Sequence, residues 1–102
     1  MTEAKCACEC RHKNTERSEA LQADVMRRLN RAIGQLNGVK AMIEDNRYCG
    51  DILTQLAASE AAVHRISEII LKDHLETCVV DEVRAGNVEV VDEVMSLMRK
   101  FS

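Results

Sequence analysis

This sequence predicts an all-α protein whose protomer has two long helices and one short one. Turn formers are scarce, with four glycines and no proline in 102 residues. Large aromatics are nearly missing, with one Phe, one Tyr and no Trp, so the core must be Leu, Ile, Val, Met and Ala. Apolar residues also recur in steps of three and four over two long stretches, the period of an amphipathic helix. A chain of this length forms one small domain with a thin core. Two long helices cannot enclose a core alone, so a dimeric four-helix bundle is the natural completion.

Residues 1–17 are rich in charge and lack apolar periodicity, which predicts a flexible Cys-rich tail ahead of a single helical domain at residues 18–102. Within the tail Cys6, Cys8 and Cys10 alternate, and His12 follows. Two readings coexist: a solvated tail, and a chelating arm for a thiophilic ion such as Cu(I) or Zn(II). Cys6, Cys8, Cys10 and His12 are therefore candidate accessory metal ligands.

The first helix is expected over residues 19 to 46, with Leu21, Val25, Leu29, Ala32, Ile33, Leu36, Val39 and Ile43 on its apolar side. Gly34 and Gly38 lie inside it on one face. Each costs about 1 kcal/mol of helix propensity relative to alanine, which close approach of another helix would offset. The second helix begins near Gly50 or Asp51, with Asp51 as N-cap or first-turn acid. Its stripe is Ile52, Leu56, Val63, Ile66 and Ile70, broadened by Leu53, Ala57, Ala61 and Leu71. Alanines keep its middle slim, suited to burial between helices, and it runs to residue 79 or beyond. Gly86 fits the position after a helix end and Asn87 an N-cap. A short third helix follows, with Val91, Val94, Met95, Met98 and Phe101 on one side.

The net charge of −3 does not mark a nucleic-acid binder by bulk charge, though a local basic stripe can still serve. No apolar run approaches the ~18 residues of a membrane span, and the polar N-terminus lacks a signal-peptide core. The expectation is a cytoplasmic protein. Five cysteines are an odd number, and cytosolic thiols stay reduced, so metal or redox roles are favoured over disulfides.

The chemistry concentrates between residues 48 and 79. His74 and Cys78 are four apart, so on a helix they share a face and can grip one ion. Cys49 lies 25 residues before His74, about 37 Å of helical rise, and cannot join that pair within one chain. An antiparallel partner chain would bring its own Cys49 beside them. The spacing points to a metal site across a dimer interface, with Cys49, His74 and Cys78 as ligands. Two thiolates and an imidazole suit three-coordinate Cu(I), whereas Zn(II) would want a fourth ligand. His64 has only Glu60 behind it at a ligand spacing and is read as structural. A Cys78 nucleophile with a His74 base would be an enzyme reading, but no oxyanion donors, orienting acid or pocket are signalled. The chain is read as no enzyme.

Basic residues gather on the first helix at Arg27, Arg28, Arg31 and Lys40, with Arg65 on the second. The ordinary meaning of such charges is a solvated face. One protomer would bind DNA weakly, and symmetric repetition would multiply the phosphates neutralised. No helix-turn-helix or zinc-finger signature is present.

Jointly, Arg28-Leu29-Asn30-Arg31-Ala32-Ile33-Gly34-Gln35-Leu36-Asn37-Gly38, Arg47-Tyr48-Cys49, Asp51-Ile52-Leu53-Thr54-Gln55-Leu56 and His74-Leu75-Glu76-Thr77-Cys78-Val79 resemble the CsoR/RcnR-type metal-sensing repressors. The resemblance covers roughly residues 20 to 101. It implies a three-helix protomer that pairs into an antiparallel four-helix bundle, with dimers assembling into a flat homotetramer. It further implies a transcriptional repressor that holds double-stranded operator DNA when metal-free and releases it when the effector binds. The copper branch of the family uses Cys, His, Cys, which fall here on Cys49, His74 and Cys78. Nickel and cobalt members add a ligand at the place held here by Arg17. Persulfide-responsive members lack the His, and formaldehyde-responsive ones typically lack the last Cys. Cu(I) is thus the implied effector, with Ni(II) or Zn(II) behind it.

Copper-type members also place a Tyr beside the first Cys and a Glu on the third helix as outer partners of the ligands. Tyr48 matches directly, and Glu93 matches if the loop at residues 84–89 is one residue shorter than usual. Family DNA contacts map to Arg28 and Arg65, and Arg31 shares the face of Arg28. The tail cysteines depart from the pattern and leave capture or handover of metal open. The alternatives to a copper-responsive repressor are nickel or persulfide sensing within the family, and a cytosolic copper buffer or chaperone without DNA binding.

Overall fold

A computed structural model describes residues 16–101. All regular structure among them is helical: α1 (Glu19–Glu44), α2 (Cys49–His74), a π-helical turn (Leu75–Val79), α3 (Val80–Arg84) and α4 (Val90–Arg99). The π-helical turn carries α2 directly into α3, so three rods result, two long and one short. Cys6, Cys8, Cys10 and His12 lie outside the described residues.

Each break has a local cause. Ser18 caps α1, its Oγ accepting from the Leu21 N–H at 3.1 Å, the usual way to satisfy a first-turn donor. At the other end Asn46 takes a left-handed φ of 54°. The Asn46 and Arg47 N–H groups then donate to the carbonyls of Ile43 and Met42. This is a Schellman closure, with asparagine in the place glycine usually holds. α3 ends the same way at Gly86, φ 91°, where the Gly86 and Asn87 N–H groups return to Val83 and Glu82. Asn87 is not an N-cap, since Glu89 precedes α4. Its side-chain amide instead donates to Glu82 Oε2 at 2.9 Å, fastening the closure. Asp51 is a first-turn acid of α2, and Tyr48 occupies the cap position without a side-chain bond.

The core is a thin seam. Val25, Ala32 and Val39, spaced by seven on α1, are buried with Ile66 of α2 and with Val90 and Val94 of α4. Ser59 is buried among them and donates to the Gln55 carbonyl at 3.0 Å. No described side chain is completely enclosed. Ile33, Ile43 and Leu53 remain 54%, 60% and 63% exposed. Apolar surface of that extent on both long helices is unusual for a protein that stays monomeric. The Cα radius of gyration, 17.4 Å, points the same way, since a compact domain of ~100 residues has about 13 Å.

Two helix faces lack a neighbour within one protomer. A Cβ added at Gly34 or Gly38 meets nothing within 4 Å, so no helix of this chain approaches that face. On α4 the inward residues are Val90 and Val94, while Val91, Met95 and Met98 are about half exposed. The periodicity found the apolar residues, but one protomer supplies cover for only one side of the helix.

Candidate metal centre

α2 is unbroken from Cys49 to His74, so the rise of ~37 Å between them is a property of a continuous rod. Among the described residues no three His, Cys, Asp or Glu side chains gather into a metal-binding group. What one chain does assemble is a half-site at the far end of α2. His74 is the last residue of the helix and Cys78 lies in the π-helical turn that follows. Cys49 and Cys78 are free thiols, the first exposed and the second half-buried.

The half-site has an unsatisfied donor atom. The His74 side chain is 26% exposed, and its Nε2 is buried with no hydrogen-bond partner. Glu93 Oε1 on α4 stands 4.0 Å away, near enough to bias the ring electrostatically yet too far for a hydrogen bond. A buried polar atom without a partner is costly, and an imidazole nitrogen beside a thiol is a fitting pair of soft-metal ligands. The donor set and the orphaned nitrogen therefore fit a thiophilic ion, provided a further thiolate arrives from outside the chain.

The π-helical turn sets the relation between these two side chains. Such turns insert one residue into a helix and recur at functional sites. Here Thr77 Oγ1 donates to the Asp73 carbonyl at 2.8 Å and sits 3.6 Å from Cys78 Sγ. The hydroxyl thus occupies a carbonyl of the preceding turn, which is how Thr perturbs a helix locally. It also ties the backbone beside His74 to the sulfur of Cys78. Nothing in the apolar periodicity signals this turn.

Beside the half-site is a cavity of about 330 Å³, walled by Ile70, His74 and Cys78 and by Leu97 and Phe101 from the C-terminal end. Arg17 lines it from the segment leading into α1. At the opposite end of α2, the ring of Tyr48, 76% exposed, lies where a Cβ on Gly50 would stand 2.5 Å from it. Gly50 therefore leaves Tyr48 room beside Cys49.

Arg27, Arg28 and Arg65, singled out by sequence, stand beside acids of their own helices. Arg28 Nε donates to Asp24 Oδ2 at 3.1 Å, and Arg27 pairs with the other carboxylate oxygen. Arg65 lies 3.6 Å from Glu68. Arg31 is exposed. His64 faces Glu68 at 3.8 Å rather than Glu60. Asp24, Glu68 and Thr77 are the residues that reading the sequence missed. Their i,i+3 and i,i+4 spacings were visible, but several acids compete at those spacings and rotamers choose among them.

The chain is similar to known proteins over most of its length. A family model described as "Metal-sensitive transcriptional repressor" matches residues 21–100. The copper-sensing transcriptional repressor CsoR of Bacillus subtilis (strain 168) is 34% identical over 93 residues, 89% of this chain and 92% of its own. The crystal structure of the copper-sensing repressor CsoR with Cu(I) from Geobacillus thermodenitrificans NG80-2 superimposes with a TM-score of 0.82 at 35% identity, over 90% of this chain and 97% of that one. The nickel-responsive transcriptional regulator InrS gives a TM-score of 0.68 at 32% identity, over 89% and 100%.

Proposed function

Because the chain belongs to the family of metal-sensitive transcriptional repressors, we propose that it holds operator DNA when metal-free and releases it when Cu(I) bridges two protomers. The ligands are His74 and Cys78 of one chain and Cys49 of the partner subunit. The observation that carries this reading is the half-site: a buried, partnerless His74 Nε2 in a residue that lines one cavity with Cys78, with the chain's own Cys49 a full helix away. Cu(I), when bound, supplies bonds to two thiolates and one imidazole, a set that needs no fourth ligand.

The remaining work falls to the chain's own side chains. Glu93 orients the imidazole and links it to α4, as outer partners of metal-bound histidines do. Tyr48 flanks Cys49 at the other end of the rod. Thr77 couples the position of the Cys78 sulfur to the backbone of the π-helical turn. Arg28, Arg31 and Arg65 supply the phosphate contacts, repeated by symmetry in a dimer and again when dimers assemble into a tetramer. Residues 18–102 act as the sensing and DNA-binding domain, and residues 1–17 as its appendage. A repressor acts where the DNA is, which puts the protein in the cytoplasm. Arg17 disfavours nickel sensing, because a guanidinium has no acceptor lone pair to offer the ion.

Ligand and DNA are linked: if Cu(I) prefers the arrangement that does not bind DNA, DNA weakens Cu(I) binding by the same factor. The test is anisotropy of fluorescent DNA from upstream of the protein's own gene, with and without Cu(I). A coupling of about 1–3 kcal/mol, or roughly 5- to 150-fold weaker binding, is expected. Equal affinity in the two states would end the proposal.

A further inference from the structure

One face of α1 serves neither the core nor the metal centre. From Val25 to Ile43 the helix carries four cations, Arg27, Arg28, Arg31 and Lys40, and no acid, in a chain whose net charge is −3. At 3.6 residues per turn, Arg27, Asn30, Arg31, Gly34, Gly38 and Ala41 share an arc of about 100°. All six are exposed. The centre of that arc is about 150° from the buried Val25, Ala32 and Val39, and about 140° from the exposed Leu29, Ile33 and Leu36. The face therefore points away both from the core and from the apolar surface beside it. Arg28 borders the face, and Lys40 is not on it.

The two glycines on this face need a cause. Glycine is the poorest helix former after proline, yet a Cβ at Gly34 or Gly38 would meet nothing within 4 Å. Alanine would fit at both places and would make α1 more stable. Bare backbone on an exposed helix suits the close approach of a ligand, and the neighbouring arginines make that ligand an anion. From Arg27 to Gly38 the helix rises about 16 Å, the length of about five nucleotides of one DNA strand.

We infer that this face of α1 lies directly against the sugar–phosphate backbone of double-stranded DNA, with Gly34 and Gly38 kept bare so that the helix can come close. The inference rests on the DNA-binding reading proposed above and adds the surface that docks. Close approach of the helix backbone brings Arg27 and Arg31 within reach of phosphates, and Asn30 supplies a further donor. Side chains at residues 34 and 38 would hold the strand off and weaken those contacts.

The test raises bulk at both positions with charge held constant, in full-length G34A/G38A and G34V/G38V chains. Alanine and valine are both better helix formers than glycine, so neither variant should melt below the wild type by circular dichroism. Anisotropy with duplex DNA from upstream of the protein's own gene, free of metal, should show weaker binding by both, the valine variant more so. Losing one phosphate contact lowers the logarithmic salt slope by about 0.9, a weakening of about 8-fold at 0.1 M salt relative to 1 M. G34V/G38V should therefore bind at least about 8-fold more weakly with a shallower slope, while its Cu(I) competition titration stays unchanged. Affinity and slope equal to the wild type would overturn the inference. So would a changed oligomeric state by sedimentation velocity, which would give the face to a second copy of this chain. If the wild type binds no duplex, the reading above fails and the inference with it. If the wild type binds DNA equally with and without Cu(I), the copper response fails, while the variants still decide this face.

Discussion

Asp24→Asn should tighten operator binding by the metal-free protein. Asp24 is half-buried and its carboxylate holds two guanidiniums, Arg27 on one oxygen and Arg28 on the other at 3.1 Å. An arginine that is to contact a phosphate must loosen this pairing, and the carboxylate itself repels the DNA. Partly exposed pairs of this kind are worth about 0.2–1 kcal/mol each. Removing the charge should therefore free about 0.5–1 kcal/mol for each protomer on the operator, a gain of ~2- to 5-fold. Two protomers on one operator multiply to ~5- to 30-fold, if their contributions are independent. The amide keeps the size of the side chain, and residue 24 is not among those lining the cavity with His74 and Cys78, so the release factor on adding Cu(I) should not change. Fluorescence anisotropy over a range of salt concentrations is the assay. The logarithmic salt slope should steepen, because more phosphates are neutralised. Unchanged or weaker binding by D24N, in a background where R28A abolishes binding, would refute the reasoning.

Two other substitutions probe the half-site. His74→Ala should impair release from DNA more than Cu(I) binding, since two thiolates remain to hold the ion; equal losses in anisotropy and in a Cu(I) competition titration would count against His74 as the coupling ligand. Thr77→Val keeps the β-branched shape but leaves the Asp73 carbonyl without the 2.8 Å hydroxyl donor. It should cost about 1 kcal/mol, read as a melting temperature lower by roughly 4–8 °C for a domain of this size. Its Cu(I)-induced release should also shrink, and a variant with unaltered melting and release would remove Thr77 from the account.

The all-helical class, both long rods and the chain reversals at residues 45–48 and 85–89 were legible, because periodicity and left-handed closures at Asn46 and Gly86 are local properties. The separation that keeps Cys49 from His74 was equally legible, since a helix converts sequence distance into length. Other features were not. The π-helical turn at Leu75–Val79 depends on which donor reaches the Asp73 carbonyl, and an apolar pattern does not encode that choice. On α4 the apolar stripe through Val91, Val94, Met95 and Met98 was legible, but the side that packs inward was not, because Val90 and Val91 are both apolar and only packing decides between them. Gly34 and Gly38 suggested a close helix contact that no part of this chain provides. Their face is open, and Ile33, Ile43 and Leu53 are likewise exposed. Asn87 was placed at a cap from residue type alone, whereas the bond to Glu82 gives it the opposite task of closing the previous helix.

The central claim is that each copper site is shared between two chains, and complementation of two defective chains tests it most directly. A C49S chain keeps His74 and Cys78, while a chain carrying H74A and C78S keeps only Cys49. Each alone should bind Cu(I) weakly and keep its hold on DNA when copper is added. Unfolded together and refolded as a mixture, they should form heterodimers with one complete site. Tight Cu(I) binding should return at up to one ion per heterodimer, with three-coordinate sulfur and nitrogen ligation by X-ray absorption. A mixture that binds no better than its two parents would contradict the account.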